Sequence, residues 1–153
     1  MDIEHNPYRI PLEECFKMAL RNNKKRAFLF VSKWLGKHIP IDPKKGLFVG
    51  ALLGYEYNRL QLKENISSSV IDIVHSILNH PEEFDESEWV FQTDNPVTFI
   101  GFAETATALG HSVFRCFPNS RFFHTTREVV AGWDSFITFE EEHSHATSHR
   151  AYI

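Results

Sequence analysis

The sequence predicts an α/β fold on three observations. Short apolar runs rich in β-branched and aromatic residues recur along the chain and lack the alternation of half-exposed strands. Segments with a 3.6-residue apolar period lie between them. Glycines stand where a run hands over to a helix, at Gly50, Gly54 and Gly101.

Pro11 opens the first expected helix, with Leu12, Cys15, Phe16, Ala19 and Leu20 on one stripe, ending near Arg21-Asn22-Asn23. Ala27 to Val31 reads as a strand covered on both faces, inside a parallel or mixed sheet. Leu47-Phe48-Val49 reads as a second strand, the turn at Gly50 to Gly54 follows it, and Tyr55 to Leu62 as a helix. Ser67 is the expected N-cap of a helix burying Val70, Ile71, Val74, Ile77 and Leu78, which His80-Pro81 stops. Glu82 to Pro96 has little period and suits a mobile loop closing over a site, or an edge ribbon. Val97 to Ile100, Arg121 to Thr125 and Ser135 to Phe139 bring the strand count to five, with a helix over Thr105 to Phe117.

Composition sets the function classes. With 153 residues, 42% of them hydrophobic and 24% charged, the chain has the makings of one domain over residues 1–153 rather than a disordered segment. Sixteen Lys and Arg against twenty Asp and Glu give a net charge of −4, which argues against nucleic acid held through its phosphates. No apolar run reaches the roughly 20 residues of a membrane helix, and the first residues lack the blocks of a secretory signal, so a cytoplasmic location is expected. Cys15 and Cys116 lie on apolar segments and are expected as buried thiols, not as a disulfide. Nine histidines are the compositional oddity.

In an open α/β sheet, ligands sit beyond the carboxyl ends of strands, where helix N-termini present free amides to anions. Four segments reach such ends. Gly50 to Gly54 is a turn for close ligand approach or plain turn chemistry. Gly101 to Gly110 concentrates small and hydroxylated residues at a strand-to-helix handover. There the amides of the segment, Thr105 to Ala108 among them, and the Thr105 and Thr107 hydroxyls would surround a phosphate and Glu104 would accept from sugar hydroxyls; the alternative is a Thr N-cap followed by a close-packed helix. His124 to Glu128 offers Arg127 as a fork for phosphate or carboxylate, or merely a surface Arg-Glu pair. Glu140 to His149 alternates acids and imidazoles, with His145 and His149 four apart. It reads as substrate-binding imidazoles, a solvated tail, or a divalent-metal site of a hydrolase also using His143. Lys33, Lys37 and His38 form a smaller basic group.

Asn6 to Leu12, Phe28 to Pro40, Phe99 to Gly110, His124 to Glu128 and Phe139 to His149 together resemble the phosphoribosyltransferase-like family encoded in tellurite-resistance gene clusters. The resemblance spans about residues 6 to 150, and its most specific runs are Gly-Phe-Ala-Glu-Thr-Ala-Thr-Ala-Leu-Gly and Glu-Glu-His-Ser-His-Ala-Thr. It implies the type I phosphoribosyltransferase fold: a mainly parallel central sheet flanked by helices, with a small hood from the chain ends. It also implies displacement of pyrophosphate from 5-phosphoribosyl 1-diphosphate (PRPP) by a nitrogen nucleophile, with Mg²⁺. On this resemblance Gly50 and Gly54 hold pyrophosphate, and Glu104 with Thr105 to Ala108 holds ribose 5-phosphate. Where the chain departs from the family pattern, the missing carboxylate and cation are expected from Glu140 to Glu142, Lys33 or Arg127, with Glu141 and Glu142 joining Glu104 as catalytic carboxylates and Lys33, Arg127, His143, His145 and His149 as substrate contacts.

Two departures stand out from the usual PRPP loop, which begins with two adjacent acids: Gly101 and Phe102 occupy those positions, and Leu52 and Leu53 stand where the pyrophosphate turn is usually basic. They keep a second reading open, a non-catalytic module that binds a nucleotide or sugar phosphate and regulates a stress-response partner. Family members are often longer, so a further C-terminal domain, operon partners and a homodimer are all left open.

Overall fold

The computed structural model describes residues 5–20, 22, 27–103, 105–140 and 148–152. Among these residues the chain is a mixed α/β protein with three two-stranded sheets, one of them parallel, so the large central parallel sheet is not observed. The core lies between helices.

The first expected helix shortens to a single turn, α1 (Leu12–Cys15), after which the chain extends as β1 (Phe16–Leu20) and pairs antiparallel with β2 (Phe28–Ser32). Phe16, Met18 and Leu20 also satisfy a period of two, and the aromatic partner strand decides between the periods. Phe30 packs edge-on against Phe16, with ring centroids 4.9 Å apart, and against Phe28.

The largest correction concerns residues 43–62. The expected strand at Leu47-Phe48-Val49 and the turn after it are instead part of one helix, α2 (Pro43–Leu62). Asp42 caps it by accepting from the Lys44 amide at 2.8 Å, and Pro43 occupies the first turn, where its missing N–H costs nothing. Phe48, Ala51 and Leu52 then fall on one buried stripe, continued by the partly buried Tyr55. Gly50 and Gly54 survive inside this helix because another helix needs the space. A Cβ on Gly50 would lie 2.3 Å from Ser112 Cβ and 3.0 Å from the Ser112 carbonyl carbon, and one on Gly54 would press on Phe117. Replacing Gly50 by Ala is therefore expected to destabilise the protein by about 1–3 kcal/mol through overpacking, outweighing the roughly 1 kcal/mol that Ala gains in helix propensity. A urea melt reads the sign directly, and a stabilised Gly50→Ala variant would mean that the two helices are not in contact there.

Helix α3 (Ser68–Asn79) forms where expected, with Ser67 Oγ accepting from the Val70 amide and Val74, Ile77 and Leu78 buried. Residues 82–91 are not a mobile lid. Two short 3₁₀ turns, Pro81–Glu83 and Glu86–Glu88, carry Phe84 and Trp89 into the core beside Phe48. The Phe91 amide bonds to the Cys116 carbonyl at 2.8 Å, and Arg115 forms a forked ion pair with Glu86. The segment is a strap over the helices.

The N-terminal segment is fastened from both sides. Tyr8 donates to Glu56, whose other oxygen accepts from Arg59 at 2.7 Å, and His75 Nε2 lies 2.9 Å from the Tyr8 carbonyl. Burial works against the Glu56 charge, but the hydrogen bonds from Arg59 and Tyr8 outweigh it and hold the carboxyl below its ordinary range. Both cysteines are free thiols; Cys116 is buried, which pushes its thiol up to about 11, and Cys15 is half-buried.

Strand β3 (Val97–Gly101), helix α4 (Thr105–Phe114) and β4 (Ser120–His124) make the parallel unit, with Val97 opposite Ser120 and Gly101 opposite His124. One face of this pair packs on α4, while Ile100 and Phe123, directly opposite each other, remain 60% and 49% exposed. The strands are thus one-sided rather than covered on both faces. The last expected strand appears as β5 (Ile137–Glu140), antiparallel to β6 (Ser148–Ala151). No helix among the described residues is long and apolar enough to cross a membrane.

Candidate functional site

Two of the four segments that the sequence singles out converge. Because β3 and β4 run parallel in register, the loop after Gly101 and the segment after His124 leave the sheet side by side. Gly101 lets α4 close down on the strand: a Cβ there would be 3.0 Å from both Thr107 Cα and the Phe122 ring. The first turn of α4 therefore starts at the sheet edge, with Thr105, Ala106, Thr107 and Ala108 in that turn. Its leading amides have no partner inside the helix and carry the positive end of the helix dipole.

The β4 side holds this junction in place. Thr125 is buried, its amide bonds to the Gly101 carbonyl at 3.0 Å, and its hydroxyl accepts from the Ala103 amide at 2.9 Å. Arg127 reaches the same residue from its other side, Nη2 donating to the Ala103 carbonyl at 3.3 Å. The guanidinium Nε of Arg127 is buried and has no hydrogen-bond partner among the described residues. A buried guanidinium N–H left unpaired is costly, and an anion is the partner that it suits best. The Arg127 backbone is fixed in turn by Arg150, whose Nη1 donates to the Arg127 carbonyl at 3.1 Å, and by mutual backbone bonds between Thr126 and Arg150 at 2.8 Å.

The other expected site residues fall elsewhere. Gly50 and Gly54 lie inside α2 against Ser112 and Phe117, so there is no pyrophosphate turn at that position. Lys33 donates to the Glu13 carbonyl at 2.6 Å and serves the join between β2 and α1. Glu104, Glu141, Glu142, His143 and His145 lie outside the described residues, and His149 is placed only by its backbone, opposite Phe139 in the β5–β6 pair. No group of three or more His, Cys, Asp or Glu residues able to hold a metal occurs among the described residues.

Sequence reasoning passed over Thr125 as a positioning group and missed Arg150 altogether. Thr125 had a local signal, a hydroxyl at the end of an apolar run. Arg150 had none, since only the β5–β6 pairing brings it to Thr126.

Chemically, the junction offers the leading amides of a helix and, at Ala103 just before it, a cation with a buried N–H that has no partner among the described residues. That combination has the chemistry to suit a phosphate or another compact oxyanion. No curated protein and no solved structure matches the chain. A family model described as phosphoribosyl transferase matches residues 15–153, nearly the whole length. The chain thus belongs to the phosphoribosyl transferase family.

Proposed function

We propose that the protein binds a phosphorylated ribose at the junction of β3 and α4 and acts as a phosphoribosyltransferase on PRPP or a related ribose phosphate. One observation carries this reading: the buried Nε of Arg127, without a partner among the described residues, belongs to a side chain that bonds Ala103, two positions before α4, in a chain of this family. In the reaction, a nitrogen nucleophile forms a bond to the anomeric carbon of ribose as the bond to pyrophosphate breaks, with the pair of electrons leaving on the diphosphate. The α4 amides and Arg127 would fix the 5-phosphate and so orient the ring. Glu104, and Glu141 and Glu142 of the acidic tail, are the carboxylates we assign to stabilising the positive ribosyl centre. Mg²⁺ enters with the diphosphate; the described residues provide no ligand set of their own for it, so no step is assigned to a protein-bound metal. A place in a tellurite or stress-resistance pathway rests on the sequence resemblance.

A second reading has a specific observation in its favour. Gly101 and Phe102 stand where the usual loop has two acids, and the packing of Gly101 against Thr107 and Phe122 leaves no room for a carboxylate at the first of them. A phosphate-binding module without transferase activity fits that departure.

Thermal unfolding in the presence of PRPP and Mg²⁺ tests the proposal. At a hundred times its dissociation constant the ligand adds about 2.7 kcal/mol, which for a domain of this size raises the melting temperature by roughly 5–10 °C. Stabilisation by PRPP with release of pyrophosphate when nitrogen acceptors are supplied supports the transferase. Stabilisation by ribose 5-phosphate or nucleotides but not by PRPP supports the binding module, and no stabilisation by any of them removes both.

A further inference from the structure

A second, separate site opens at the other end of β3. A cavity of about 500 Å³, within the range of ligand pockets, lies between the C-terminal half of α2 and residues 92–98. Its walls are built rather than incidental. Gly54, Tyr57, Asn58 and Gln61 fall at i, i+3, i+4 and i+7 on α2, so the face that packs on Phe91 and Phe117 at Gly54 runs on into the cavity. The Tyr57 ring stands edge-on to Phe117 at 5.7 Å. Opposite, the strap leaves the core at Phe91, and Thr93 Oγ1 donates to the Asn95 carbonyl at 2.8 Å, closing the turn that carries Gln92, Asp94 and Asn95.

The lining chemistry is selective. Four primary amides, Asn58, Gln61, Gln92 and Asn95, face one cavity with a single carboxylate, Asp94, and no Lys, Arg or His. Among the described residues none of these amide side chains is engaged in a hydrogen bond within the protein. Without a cation the cavity does not suit phosphate, and with one carboxylate it is a poor cation site. Each amide both donates and accepts, and the carboxylate only accepts, a combination that matches the paired hydroxyls of a neutral sugar. About 13 Å of strand separates this cavity from the α4 junction, since β3 rises roughly 3.3 Å per residue.

We infer that this groove is a binding site for an uncharged carbohydrate, distinct from the oxyanion site. Screening the full chain on a glycan array, then titrating the best glycan by calorimetry, tests it. The expected result is a retained neutral glycan whose affinity falls at least tenfold in a Gln61→Ala, Asp94→Asn double variant, while ribose 5-phosphate binding is unchanged. Both positions are exposed and their side chains are unbonded among the described residues, and matching melting curves would confirm that the variant folds. Amide resonances of Gln92 to Asn95, Val97 and Thr98 would shift with the same glycan. The inference fails if no glycan is retained and glucose, galactose and mannose at about 50 mM, enough to populate a millimolar site, move none of these resonances. It fails equally if the double variant binds the glycan as the parent does, or if uncharged nucleosides bind there in preference.

Discussion

Replacing Trp89 by Ala is expected to lower the unfolding free energy by about 3–5 kcal/mol, the range for deleting a buried aromatic side chain. Trp89 is only 7% exposed, and its ring meets three others: Phe48 edge-on at 5.2 Å, Tyr55 at 6.2 Å and Phe84 at 6.4 Å. Phe48 and Tyr55 belong to α2, whereas Phe84 and Trp89 come from the strap, so the indole joins the two. Its removal opens a cavity at the centre of the aromatic cluster and frees the segment that delivers Phe91 to Cys116. A change of that size consumes much of the stability of an ordinary domain, and urea melts of the parent and of Trp89→Phe provide the scale. If 82–91 were a lid lying over the molecule, Trp89→Ala would cost less than about 1 kcal/mol, as exposed substitutions do.

How far the fold could be read from the string depended on which local signals had competition. Helix α3 was readable because Ser67, the apolar stripe and Pro81 agree. In residues 43–62 two signals conflicted. Leu-Phe-Val followed by glycine looks like a strand and turn, while Asp42-Pro43 starts a helix; the cap prevailed because the glycines face α4, where small residues are required. The strap misled for a similar reason, since Phe84 and Trp89 lack a period yet each fills a place in the core that tertiary packing created. β1 obeyed two periods at once, and only its pairing with β2 separated them.

The candidate site was half readable. The β3–α4 handover and the His124–Arg127 segment were both singled out from residue types, and the parallel register of β3 and β4 places them together. What the string lacked was any sign that Ala103 would be held from both sides by Thr125 and Arg127, because that depends on contacts across more than twenty positions. The cavity beside Asn58 was equally hidden, its two walls being amide-rich segments over thirty positions apart, each ordinary by itself.

The oxyanion cradle is the claim on which the functional account stands, and Arg127 is where it is most exposed to test. Charge-assisted hydrogen bonds of this kind contribute about 1.5–3 kcal/mol each, so Arg127→Gln is expected to weaken ribose 5-phosphate binding by about 10–100-fold. The fold should persist, since among the described residues the side chain is anchored by a 3.3 Å bond to one carbonyl and Thr125 independently holds Ala103. Calorimetric titration of ribose 5-phosphate into the parent and Arg127→Gln proteins measures this directly. The account predicts binding by the parent that weakens as salt rises and is largely lost in the variant; affinities within about twofold of each other, with both proteins folded, would contradict it.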